Sequence, residues 1–141
     1  MKLPTALLPT VLALGAMSGI VACNAQPVYP SDYSCDDKGQ LAVWRARIFE
    51  NFSAGARIAN DHDTRNPTVA LRQMRDLHVQ LRHYFQSEPM PACMRAAIRI
   101  YVDGTEALQA KDSDMLAAMR HLNATIDRFS QAVEAAQPHP L

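Results

Sequence analysis

MLAAMRHLNATIDRFSQAV, residues 115–133, places Met115, Met119, Leu122, Ile126, Phe129 and Val133 at spacings of 4, 3, 4, 3 and 4. That is one apolar stripe on a helix, and no strand alternates in this way. A helix with one such stripe must bury it against others, so the question passes to the chain before it.

Three more helical segments are expected upstream. From Lys38 to about Asn60, Leu41, Trp44, Ile48, Phe52, Gly55 and Ala59 recur at spacings of 3, 4, 4, 3 and 4, with Asp36 or Asp37 available as the N-cap. Asp61 to Asn66 reads as a loop, Asn66 as an N-cap and Pro67 as the first residue of a second helix with Leu71, Met74, Leu77, Leu81, Tyr84 and Phe85 as its stripe. An alternative stripe runs through 71, 74, 78, 81 and 85, with His78 in it. Ser87-Glu88-Pro89-Met90-Pro91 ends that helix, because two prolines in three residues remove donors and push their predecessors out of the α region. Pro91 then opens a third helix carrying Met94, Ala97, Ile98, Tyr101 and Leu108, and a link near Lys111 and Asp112 leads to the fourth. Between Lys38 and Gln137 there are 17 alanines but only three prolines and three glycines, which favours helices over strands. The expected fold is therefore all-α, an up-down-up-down four-helix bundle over residues 38–136, roughly 30 Å long.

Composition bounds the function. The chain has 141 residues, 48% of them apolar, with 14 basic and 14 acidic side chains. One domain is expected, and the zero charge balance lacks the basic footprint of a nucleic-acid binder. The N-terminal region holds a single charge, Lys2, and then the apolar run Val11 to Val21, which reads as a signal peptide over residues 1–22. A permanent span fits poorly, because Pro4, Pro9, Gly15 and Gly19 interrupt the region and no basic stop-transfer cluster follows.

The run ends in Ile20-Val21-Ala22-Cys23, which resembles the lipobox of bacterial lipoproteins. The resemblance covers the leader alone, about one sixth of the chain, and its first position is Ile where Leu is commoner. It implies that Cys23 receives a diacylglyceryl group and becomes the new N-terminus, and Asn24 resembles the second residue of lipoproteins sorted to the outer membrane. Ordinary cleavage after Ala25 is the competing reading and would release a soluble periplasmic or secreted protein. Residues 23–37, with Pro27, Tyr29, Pro30 and Tyr33, then form a tether, and residues 137–141 with Pro138 and Pro140 a tail.

With Cys23 set aside, Cys35 and Cys93 remain, and in an oxidising compartment they are expected to pair. No CxxC or CxxCH is present, so the bridge reads as a structural staple. In the bundle topology Cys35 and Cys93 sit at the N-terminal ends of helices one and three, the same end of the molecule.

Few residues suggest chemistry. Asp61, His62 and Asp63 share one loop and offer metal or proton-transfer ligands, but three adjacent loop residues do not complete a tetrahedral set. His78, with Met74, Met115 and Met119, offers a His and Met pair for a non-covalent haem, although methionine at helical spacing is ordinarily core filler. Arginine supplies 11 of the 14 basic residues, and Arg72, Arg75, Arg82 and His83 are expected on the outer face of helix two, with Asp76 pairing Arg72. No nucleophile, zinc, P-loop or dinucleotide motif occurs, so no catalytic residue and no resident cofactor or metal are assigned. The function expected is that of a non-catalytic envelope lipoprotein facing the periplasm. It would bind a protein partner (a toxin, a hydrolase or an envelope component) as an immunity or inhibitor protein, through Asp61, His62, Asp63, Arg72, Arg75, Arg82 and His83. The alternative is a small-ligand or haem carrier using the bundle interior, and a homodimer is compatible with either.

Overall fold

The computed structural model describes residues 31–61, 66–109 and 114–137. The leader with Cys23, His62 and Asp63 of the first loop, the link at Lys111 and Asp112, and residues 138–141 lie outside the described residues. Four helices form an all-α up-down-up-down bundle: α1 over Lys38–Asn60, α2 over Pro67–Ser87, α3 over Arg95–Gly104 and α4 over Met115–Ala136. Among the described residues there is no strand, only an isolated bridge between Tyr33 and Pro91.

The caps follow from short polar side chains at the expected places. Asp37 accepts from the Gln40 amide, Asn66 from Thr68 with Pro67 in the first turn, and Asp114 from Leu116 and Ala117. Each satisfies a first-turn N–H that has no partner within its own helix.

The third helix is shorter than the spacing of its apolar residues predicts. Met94 lies in a 3₁₀ turn, Ala92–Met94, before it, and Leu108 in a second, Glu106–Gln109, after it. The cause of the break is visible at Gly104 and Thr105. A Cβ at Gly104 would lie 2.3 Å from Oγ1 of Thr125 on α4, so the helices approach there only because the side chain is absent. Thr105 Oγ1 donates to the Tyr101 carbonyl at 2.7 Å, a local bond that competes with continuing the helix.

The core is concentrated at the end that carries the disulfide. Phe85 is its centre, with ring centroids 5.2 Å from Tyr101, 5.8 Å from Phe129 and 6.5 Å from Trp44. Leu41, Ile48, Leu81, Met90, Met94 and Ile98 fill the space around these rings. Burying each of the larger apolar side chains stabilises the fold by roughly 1.5–3 kcal/mol. Cys35 and Cys93 are bonded, with Cα atoms 6.1 Å apart. A smaller cluster of Leu108, Ala118 and Leu122 forms the opposite half.

The last part of the expected tether is in fact docked. Tyr33 N–H donates to Met90 O at 3.1 Å, Ala92 N–H donates to Tyr33 O at 2.9 Å, and Arg95 pairs with the Asp32 carboxylate. The Arg95 guanidinium holds Asp32 below the usual carboxylate range. Residues 32–35 thus belong to the folded unit, clipped to the corner between α2 and α3.

Candidate functional site

An apolar cleft of about 650 Å³ lies in the half away from the disulfide. Its floor is α2, with Ala70, Leu71, Met74 and His78; α1 supplies Phe52, Gly55, Ala56 and Ala59, and α4 supplies Leu116, Met119, Asn123 and Ile126. The origin of the cleft is legible in the seam of α1. Trp44, Ile48 and Phe52 fill the interface as far as Phe52, whose ring meets that of Phe129 edge-on at 6.0 Å and bridges α1 to α4. Beyond it the same stripe offers only Gly55 and Ala59, too small to reach across, and Ala56 and Ile58 border the cleft beside them. Among the described residues no Cα of α1 comes within 8 Å of a Cα of α4. The gap over α2 stays open, and Leu116 stands at its rim with 63% of its surface exposed.

His78 is the polar feature of the floor. Only 2% of it is exposed, and its Nδ1 lies 2.5 Å from the Tyr101 hydroxyl oxygen, a hydrogen bond that ties the cleft floor to α3. Burial pushes the His78 pKa down to about 4 and raises that of Tyr101, so both are neutral around pH 7. The lining given above contains no acid and no arginine or lysine, which suits an uncharged occupant.

The residues singled out from sequence do not gather into one site. Arg72 and His83 are exposed and about three turns apart on one face of α2, with half-exposed Arg75 between them. Asp76 pairs with Arg75 at 2.9 Å, not with Arg72 as expected. Arg82 corrects the outer-surface expectation: it is only 7% exposed, and its guanidinium donates to the Val102 carbonyl near the C-terminal end of α3. A cation there satisfies a carbonyl at the negative end of the helix, a structural role that favours burial over display. Asp61 is exposed at the C-terminal end of α1, while its loop neighbours His62 and Asp63 lie outside the described residues. Among the described residues no group of three or more His, Cys, Asp or Glu side chains is placed to hold a metal ion. No described helix is long and apolar enough to cross a membrane.

Periodicity offered the buried face of α2 only as an alternative and missed that of α4. The buried positions of α2 are His78, Leu81, Arg82 and Phe85, which is the alternative stripe with an arginine added. The buried face of α4 is centred on Ala118, Leu122, Thr125 and Phe129, so Met119 and Ile126 turn toward the cleft. The shrinking side chains of the α1 seam were the available signal for a groove.

Neither family models, curated proteins nor solved structures give a match to this chain.

Proposed function

We propose that this chain is a non-catalytic envelope lipoprotein, anchored through Cys23 and facing the periplasm, whose cleft between α1, α2 and α4 binds a small apolar molecule. The observation that carries the reading is the cleft itself. Its 650 Å³ falls in the range of ordinary ligand pockets, its walls are mostly apolar, and the neutral polar residues His78, buried in the floor, and Asn123, exposed on α4, border it. Methionines at 74 and 119 add side chains that repack around different shapes. The lipobox-like leader and the paired cysteines support export, and the anchor keeps the module at a membrane surface where apolar molecules are found.

The test is titration of the mature, disulfide-bonded chain with the apolar fluorophore N-phenyl-1-naphthylamine. One saturable site is expected, and Ala56→Trp, which places a large ring at the cleft wall, should weaken it by an order of magnitude or more without unfolding the bundle. Failure of the native chain to bind, or equal binding by the variant, overturns the assignment. Anchoring is tested separately, since Cys23→Ser should move the protein from the membrane pellet to the soluble fraction.

A second reading is a protein-binding module of the immunity or inhibitor kind, with a toxin or hydrolase as its target. It is favoured by the exposed face of α2 carrying Arg72, Arg75 and His83, and by Phe49 on α1, 73% exposed. Arg and exposed aromatics are the residue types that anchor interfaces. Charge reversal at Arg72 and Arg75 should abolish that binding while leaving the fluorophore site intact.

A further inference from the structure

We propose that the cleft selects an uncharged apolar molecule that carries a hydrogen-bond acceptor, a carbonyl or ether oxygen, and that Nε2–H of His78 is the donor that reads it. The proposal rests on the cleft reading above and adds the chemistry of the ligand.

Three observations lead to it. First, Tyr101 is fully buried, and among the described residues its hydroxyl has one partner, Nδ1 of His78. A buried hydroxyl proton left unmade costs more than a spare lone pair, so the economical arrangement has Tyr101 O–H donating to Nδ1. A neutral imidazole that accepts at Nδ1 carries its proton on Nε2. Second, among the described residues Nε2 has no hydrogen-bond partner. His78 borders the cleft whereas Tyr101 does not. Nε2 lies on the opposite side of the imidazole from the nitrogen engaged by Tyr101, and it is the donor we assign to an acceptor in the cleft. Third, the cleft lining holds no arginine or lysine to neutralise a carboxylate or phosphate, and burial keeps the imidazole itself uncharged. An anionic headgroup would have to leave water without a counter-charge, whereas a neutral oxygen would not.

The experiment uses the mature chain with its bridge intact and its histidines labelled with ¹⁵N, and two matched probes, 2-undecanone and undecane. Long-range ¹⁵N–¹H spectra should show His78 as the Nε2–H tautomer at pH 7 before any ligand is added. The ketone should shift the Nε2 resonance saturably and bind on the order of tenfold tighter than the alkane, the worth of one neutral hydrogen bond. His78→Phe should erase that preference while retaining the alkane; if it does not fold, the spectra of the native chain still decide. Equal binding of ketone and alkane, or an Nδ1–H tautomer, overturns the donor assignment and leaves the cleft reading standing. Binding of neither probe overturns the cleft reading itself. Addition of haemin giving a Soret band together with loss of the free Nε2–H signal would show that the nitrogen serves as a metal ligand, and the donor assignment would fall.

Discussion

At the disulfide end of the bundle, Trp44, Phe85, Tyr101 and Phe129 interlock around one centre, and the chain preceding α1 is clipped across the corner between α2 and α3. At the other end, Gly55 packs close to Met74, Ala56, Ala59 and Met119 border an open cleft, and the place of a longer α3 is taken by a 3₁₀ turn. The two halves share α1, α2 and α4 but differ in side-chain volume along the seam of α1. The difference teaches that a helix stripe announces an interface without announcing whether it closes. Closure depends on whether the side chains are long enough to span the gap, and here the last ring that does so is Phe52.

The contrast can be broken most sharply from the packed half. Phe85→Ala should cost about 3–5 kcal/mol, because it removes a fully buried ring from the middle of the aromatic cluster. Urea unfolding followed through the lone Trp44, itself 6.5 Å from Phe85, reads this directly. Reducing the Cys35–Cys93 bridge, which closes a separation of 58 residues, should lower stability by about 4 kcal/mol in the chain-entropy account. The same titration with and without reductant measures it, and retention of the cleft's probe binding in the reduced form would show how far the two halves fold independently.

The boundary between the halves is sensitive to acid. His78 titrates near pH 4 in the folded chain and near its ordinary 6.5 when unfolded, so between those values the unfolded chain holds more protons. Its contribution is complete above pH 6.5 and is lost as the pH falls toward 4, a decline of about 3 kcal/mol. His78→Gln should flatten the stability profile over that window. The decline that belongs to Asp32 falls lower, because its folded value lies below the usual carboxylate range and its ion pair with Arg95 persists until it is protonated. Gly104→Ala should cost roughly 1–3 kcal/mol through overpacking against Thr125, and the pairing with Thr125→Ala should recover part of it by removing the crowding hydroxyl and methyl. At the small end, Leu116→Ala on the cleft rim should change stability by less than about 0.5 kcal/mol while weakening uptake of N-phenyl-1-naphthylamine.

Much of the architecture is readable from residue order because caps and breakers act locally. Asp37, Asn66-Pro67 and Pro89-Met90-Pro91 each specify a boundary through their own backbone chemistry, with no help from the rest of the fold. Rotational phase is different, because neighbouring helices set it. Thr125 is buried since α3 comes close at Gly104, and neither residue adds to an apolar stripe. Arg82 is buried since the end of α3 presents the Val102 carbonyl to it, a partner twenty positions away that periodicity does not reveal. The cleft was half legible: His78 and Met74 stand out as interior candidates, but the pairing of His78 with Tyr101 needs two helices brought together. The exposed strip of Arg72, Arg75 and His83 follows from helical spacing alone, which is why it appears whether or not a partner uses it.

The clip formed by Asp32, Tyr33 and Cys35 also fixes where mechanical load enters the molecule. Tension on the segment preceding Ser31, such as an anchored envelope protein would feel as its surroundings shear, does not reach the first turn of α1 directly. It is met first by the Asp32–Arg95 pair, then by the two backbone bonds of Tyr33 to the α2–α3 corner, and finally by a covalent link to Cys93. Force is thereby passed into the aromatic core at the junction of two helices, where it must be borne by several contacts at once, and α1 is spared being peeled away turn by turn. The half of the bundle that holds the cleft lies beyond that junction, so its shape is mechanically insulated from whatever pulls on the chain ahead of Ser31.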